Sequence, residues 1–226
     1  MSKFTLASTE GFGDSVEVHL PENITQEQLL SFAAFKDWKS TLRQNLDLQG
    51  TDPDHAFHKD PYKLYSIWIQ SVDWFGHFIG FIKLKAIIKN SEPDSDLPGV
   101  ALLRGGSVAV LMILRPEGTR DERYVVLTEQ PRIPAGSLQF LEIPAGMLDG
   151  ETGFRGKAAK EILEETGLRI PKEELIDMTE LALRSSQVRD KSLKNAMYPS
   201  PGGSDEFIAI LLWEKVSVDA MTVRHI

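Results

Sequence analysis

Hydrophobic and polar positions alternate with the two-residue period of a strand over several stretches of the chain, and switch to a helical period over two others. Val16-Glu17-Val18-His19-Leu20 alternates strictly and predicts a short strand. Thr25 followed by Gln28 has the spacing of a capping box, and the amphipathic stretch behind it predicts a helix to about Gln44. Residues 65–72 and 77–88 alternate again and are rich in aromatic and β-branched side chains. Joined by Asp73-Trp74-Phe75-Gly76, they predict a β-hairpin. The segment NSEPDSDLPG, residues 90–99, is polar with two prolines and predicts a linker. A domain boundary placed there gives an accessory unit over residues 1–95 and a second domain over 96–226.

The second half carries stronger strand signals. Residues 107–114 and 124–129 predict a hairpin across a charged turn, 138–143 a further strand, 153–166 a helix that stops at Gly167, and 207–214 a returning strand. Strands on both sides of one well-marked helix, without regular βαβ repeats, predict an α+β layered domain.

Composition narrows the functional classes. The 226 residues are 42% hydrophobic and 26% charged, which excludes a mainly disordered or collagen-like chain. Acidic residues outnumber basic ones 33 to 25, and no Lys/Arg stripe offers itself to a phosphate backbone, so nucleic acid is not an expected partner. The absence of cysteine removes disulfides, thiolate nucleophiles and cysteine-ligated zinc, and leaves oxygen or histidine to hold any metal. The longest apolar runs, 108–114 and 207–213, fall far short of the roughly 20 residues that cross a bilayer, and the N-terminus has no apolar signal core. The chain is read as a soluble cytoplasmic protein with no membrane partner.

The chemistry concentrates in residues 146–168, GMLDGETGFRGKAAKEILEETGL. On a helix, Glu161, Glu164 and Glu165 stand at i, i+3 and i+4, so three carboxylates project about one turn apart. Such carboxylates repel unless a divalent cation lies between them, and oxygen-only ligands suit Mg²⁺ or Mn²⁺. The same helix also reads as a solvated surface laced by the i,i+4 pairs Lys157–Glu161, Lys160–Glu164 and Glu165–Arg169. The glycine-bearing loop upstream and the Gly-Leu stop downstream, at fixed spacing, favour the metal. His55, His58, His77 and His225 show no metal-ligand spacing, and there is no Gly-x-Ser-x-Gly elbow or P-loop.

This stretch resembles the Nudix box, with Gly146, Glu161, Ile162, Glu164, Glu165, Gly167 and Leu168 in register. Two positions depart. Thr152 stands for the first glutamate, with Glu151 one residue earlier, and Lys160 stands for the arginine, keeping charge but losing a bidentate fork. RGGSVAVLMIL (104–114), LTEQPRIPAGS (127–137), LEIPAG (141–146), YPSPGGSDE (198–206) and IQSVDWFGHFIGFIKLKA (69–86) are similar to the ADP-sugar diphosphatase and ADP-ribose pyrophosphatase branch. The resemblance implies a Nudix fold, a mixed sheet packed between helices, preceded by an antiparallel β accessory domain that supports a homodimer. It implies metal-dependent hydrolysis of ADP-glucose or ADP-ribose to AMP and a sugar 1-phosphate.

Residue by residue, the resemblance gives metal ligation to the Ala145 carbonyl, Glu161 and Glu165, and catalysis to these glutamates with Glu164 assisting. Arg132 would grip the diphosphate, against the alternative of an ordinary arginine at a strand end. Glu142, Gly146, Ser200, Pro201, Gly202 and Gly203 would bind substrate, although Pro-Gly-Gly is also simply a turn. Trp74 and Phe75 would stack on adenine or pack in an interface. In this branch an acidic loop with a further glutamate, then a strand and a helix, follow the strand equivalent to 207–214. Beyond Lys215 only Asp219 is acidic, so the second domain is expected to lack these elements. The alternative reading is therefore a Nudix-fold nucleotide-binding module with impaired catalysis.

Overall fold

The alternation at 16–20 becomes a strand, and the helical and hairpin patterns around it assemble a complete sheet. The computed structural model describes residues 2–6, 12, 15–119, 121–148, 153–185 and 192–217. The chain forms two compact units, one of residues 1–105 with 190–193 and 200–206, the other of 106–189 with 194–199 and 207–226.

The first unit contains β1 (Ser2–Leu6), β2 (Val16–Leu20), α1 (Gln26–Ser31), α2 (Ala33–Thr51), β3 (Lys63–Phe75), β4 (Phe78–Lys89) and β5 (Val100–Leu103). Its sheet runs β1-β2-β3-β4-β5, antiparallel except for the parallel β2–β3 pair. The capping box forms as expected: the Gln28 N–H donates to Thr25 Oγ1 at 3.2 Å and the Thr25 N–H to Gln28 Oε1 at 2.9 Å. The single helix expected behind it is two, because Phe32 takes an extended conformation (φ −65°, ψ 119°) that closes α1 and opens α2. Leu29, Phe35, Ile67, Ile82 and Leu84 are fully buried on one face of the sheet. Burial of these apolar side chains is what fixes the strand register.

Two features differ from the sequence-based expectation. Strand β3 continues through Trp74 and Phe75, so the hairpin turns at Gly76-His77, where Gly76 has φ 62°, a conformation that costs glycine little. Phe75 packs edge-on against Phe81 at 5.2 Å, and Trp74 packs on the core of this unit. The polar segment 90–99 connects β4 to β5, which are hydrogen-bonded neighbours, so the first unit extends through Gly105. Residues 200–206 also belong to it. The Leu102 N–H donates to Gly203 O at 2.8 Å, and the N–H groups of Arg104 and Gly105 donate to Asp205 Oδ1 at 2.7 and 3.2 Å.

The second unit contains β6 (Ser107–Pro116), β7 (Tyr124–Val125), β8 (Thr128–Arg132), β9 (Ser137–Glu142), β10 (Ala145–Met147), α3 (Phe154–Thr166), β11 (Ile176–Asp177), α4 (Met178–Leu183) and β12 (Ile208–Ser217). One sheet runs β10-β6-β12-β11 with β7 also on β6, and β8–β9 form a separate two-stranded ribbon. β6 and β12 pair in parallel and the other neighbours are antiparallel, so the sheet is mixed. Val108, Val110, Met112, Ala209, Leu211 and Trp213 are buried, as expected of central parallel strands. The single strand expected over 124–129 is divided: the Val126 N–H turns to Met112 O at 3.1 Å, and the chain then leaves β6 to enter the ribbon.

Helix α3 packs Ala158 and Ile162 into this core and ends where Gly167 adopts φ 73° and donates its N–H to Leu163 O at 3.0 Å. Among the described residues, no helix is long and apolar enough to cross a membrane.

Candidate functional site

Gly146 sits in β10 opposite Val108, in a conformation open to any residue, so its glycine is not needed for the backbone. It is needed for space. A Cβ at this position would fall into the carboxyl end of the Glu161 side chain, which therefore lies against the β10 main chain. Inward-facing Ala158 and Ile162 fix the rotation of α3 and aim Glu161 and Glu165 the same way.

Each inward carboxylate is held by specific partners. Glu161 pairs through Oε1 with Lys157 Nζ at 2.9 Å, and the two side chains are 15% and 6% exposed. Glu165 accepts from the Ala145 N–H through Oε2 at 3.3 Å and from Gln130 Nε2 through Oε1 at 3.4 Å. Burial pushes the Glu165 carboxyl above its ordinary pKa; hydrogen bonds from Ala145 and Gln130 oppose that rise, and the like charges of Glu161 and Glu142 add to it.

Glu142, on β9, accepts from Gln130 Nε2 at 2.7 Å and from Arg132 Nε at 2.8 Å on the same oxygen, which Arg132 Nη2 also reaches. The ribbon β8–β9 is thereby tied to α3 through Gln130, and its guanidinium, on Arg132, is engaged by Glu142.

Of the residues singled out in the sequence, Arg132, Glu142, Ala145, Gly146, Glu161 and Glu165 are brought together. Glu164 points the other way. Its side chain is 57% exposed and pairs loosely with Lys160 at 3.9 Å. Ser200, Pro201, Gly202 and Gly203 form a turn in the first unit, where the N–H groups of Gly203 and Ser204 donate to Ser200 O at 3.1 and 2.9 Å. Glu151, Thr152, Asp219 and His225 lie outside the described residues.

Two residues were missed by the sequence reading. Gln130 shares the strand period with Arg132, a signal that places both on one side of β8. Lys157 was visible only as one member of an i,i+4 pair on a solvated face, whereas it is 5% exposed.

A divalent cation can be tested against this donor set. Among the described residues, no three Asp, Glu, His or Cys side chains are already gathered as a metal cluster. Yet the inward carboxylates of Glu161 and Glu165 supply hard oxygen donors, Glu165 lies against the Ala145 main chain, and the charge of Glu161 and Glu142 bears on Glu165. The donor chemistry fits Mg²⁺ or Mn²⁺ and excludes a soft, thiolate-seeking ion.

Comparison with known proteins bears on the family. Residues 104–221 match the NUDIX domain, and that stretch contains the whole of 146–168. The chain is 42% identical over 164 residues to Nudix hydrolase 14, chloroplastic, of Arabidopsis thaliana, covering 72% of this chain and 49% of that protein. It is 29% identical over 120 residues to "Putative nudix hydrolase 2" of Caenorhabditis elegans, covering 47% of each. The chain thus spans about half the length of the curated relatives it matches. With the domain match extending over more than half of its residues and Glu161 and Glu165 of the box turned inward on α3, this chain belongs to the Nudix family.

Proposed function

We propose that the chain is a metal-dependent hydrolase of nucleoside diphosphate sugars, taking ADP-glucose and ADP-ribose to AMP and the sugar phosphate. The observation that carries this reading is the inward pair of carboxylates, Glu161 and Glu165, with Glu165 joined through Gln130 to Glu142 and its partner Arg132. A diphosphate carries negative charge that repels a nucleophile, and its hydrolysis needs cations on the bridging region and a water placed for attack.

Glu161, Glu165 and the Ala145 carbonyl would hold Mg²⁺ or Mn²⁺. When bound, the metal neutralises diphosphate oxygens and acidifies a water. Arg132 exchanges one carboxylate, Glu142, for a phosphate, using the same fork geometry. Glu142 is then released to accept from a hydroxyl of the substrate. Gln130 keeps Glu165 aligned throughout, because it reaches Glu165 from the ribbon that carries Arg132. Glu164, on the outer side of α3, contributes charge at longer range.

A homodimer built through the first unit belongs to the same reading. Trp68, Val100 and Leu102 are 38%, 50% and 40% exposed on the face of its sheet opposite the core. The register interleaves them with Lys83 and Lys85, and these exposed apolar side chains are the ones that would meet a partner copy.

One observation favours a second reading, a nucleotide-binding module without turnover: Glu161 already has a cationic partner in Lys157. The deciding experiment measures AMP release from ADP-glucose and ADP-ribose with Mg²⁺, for the wild-type chain and Glu165→Gln. A hydrolase gives AMP that the substitution suppresses. Equal rates for the two proteins rule the hydrolase out, and ADP-sugar binding without AMP identifies the module.

A further inference from the structure

We propose that Lys157 is an internal counter-ion that holds the Glu161 carboxylate in its binding position and competes with the divalent cation for it, so that this lysine sets the metal affinity of the site. The inference rests on the metal reading given above and adds a residue to it. Lys157 is a positioning residue, acting through Glu161.

Three observations carry it. Among the described residues, Lys157 is the only charged residue that is buried, at 5% exposure. Its ammonium lies 2.9 Å from Glu161 Oε1. The Glu161 carboxyl end also fills the space over Gly146 that a side chain there would take. The carboxylate is therefore confined by a main chain on one side and by a cation on another. A lysine at this spacing in the exposed pair Lys160–Glu164 stands 3.9 Å away with both partners in solvent, so helical spacing alone does not produce the enclosed arrangement.

The physical consequences are opposed. Without metal, the ammonium compensates a carboxylate that is costly to bury unpaired. With metal, a divalent charge on Glu161 stands near a fixed positive charge. At a separation of about 5 Å, such repulsion weakens binding by about tenfold even with the screening of bulk water. Removing the charge at 157 is thus expected to destabilise the metal-free protein and to tighten metal binding. A residue that only supported the fold would change the first quantity and not the second.

The test uses the full chain, with Mn²⁺ as probe and free Mn²⁺ counted by electron paramagnetic resonance. Wild type, Lys157→Met, Lys157→Gln and Lys157→Arg are compared, and melting temperatures are recorded in EDTA and in excess Mn²⁺. Both neutral variants are expected to bind Mn²⁺ about tenfold more tightly than wild type and to gain more melting temperature from it. Lys157→Arg, which keeps the charge, is expected to retain wild-type affinity. Neutral variants that bind Mn²⁺ no more tightly than wild type overturn the role of Lys157 and leave the metal reading standing. A wild-type chain that binds no Mn²⁺ overturns both. Because the cation is expected to replace the missing charge, failure of both neutral variants to fold in Mn²⁺ also overturns the inference.

Discussion

Gly146→Ala is the sharpest probe of the proposed site, because it adds one methyl group at a position whose backbone would accept it. Alanine in an extended strand is ordinarily better than glycine by about 0.5–1 kcal/mol. Here the new Cβ meets the Cγ, Cδ and Oε2 atoms of Glu161, so the carboxylate must leave. Leaving breaks its pair with Lys157, 2.9 Å away and almost wholly enclosed. The carboxylate is the end of a flexible side chain and moves rather than disappears, so its displacement costs about 1–3 kcal/mol, less than deleting one partner of a buried pair. Subtracting the strand gain leaves a net loss of up to about 2 kcal/mol, and a displaced ligand should lower AMP release by about a hundredfold.

The control is the same substitution in a Glu161→Ala background, where the space over residue 146 has been vacated. There Gly146→Ala should stabilise the chain by about 0.5–1 kcal/mol, a reversal of sign that a double-mutant cycle reads directly in urea denaturation. If the substitution costs the same in both backgrounds, or leaves AMP release at the wild-type rate, Glu161 does not depend on that glycine and the geometry argued for the site is refuted.

Other expectations follow from the same contacts. Arg132→Ala should raise KM for ADP-glucose by about 10- to 100-fold through loss of charge-assisted hydrogen bonds, and Arg132→Lys should not restore it because the fork is lost; steady-state kinetics decide. Gly167→Ala should cost about 1 kcal/mol in chemical denaturation, since residue 167 closes α3 at φ 73°. Burial holds the Asp205 carboxyl above its ordinary value of 3.8, against hydrogen bonds from Arg104 and Gly105, so the folded chain binds this proton more tightly than the unfolded chain does. Its contribution is fully present below pH 3.8 and is lost as pH rises through the folded value, a slope that Asp205→Asn should remove from melting temperatures recorded against pH. Trp68→Glu should convert a sedimenting dimer to a monomer; a monomeric wild type or a dimeric variant refutes the interface.

What the sequence disclosed depended on how local the determining interaction is. Thr25 and Gln28 satisfy each other across one helical turn, and Gly167 ends α3 by its own conformation, so both were legible from spacing. The break at Phe32 was not, because no glycine or proline marks it and Phe35 is buried by packing with distant strands. Segment 90–99 has the composition of a linker, yet the hydrogen bonds of Val100–Leu103 to β4 assign it to the interior of one sheet. Composition reports solvent exposure of a loop, and a pairing partner many residues away is outside its reach. The same limit applies at Gln130, whose two carboxylate partners come from β9 and α3.

The pairs 157–161 and 160–164 have the same residue types at the same spacing, and the fold gives them different chemistry. Ala158 and Ile162 bury one stripe of α3 against the sheet, which turns residues 161 and 165 toward β10 and leaves 160 and 164 in water. In water the pair at 3.9 Å is worth little, and its loss would pass unnoticed. Enclosed, the same pair acquires a preference for one geometry, because moving the carboxylate away separates two charges that little water screens. Two apolar residues in the core therefore decide which glutamates of the box turn toward β10, where the proposed metal would sit, and which stay in water. A charged or bulky residue at Ala158 would rotate the helix off that register and should abolish the proposed metal binding although no acidic residue is replaced.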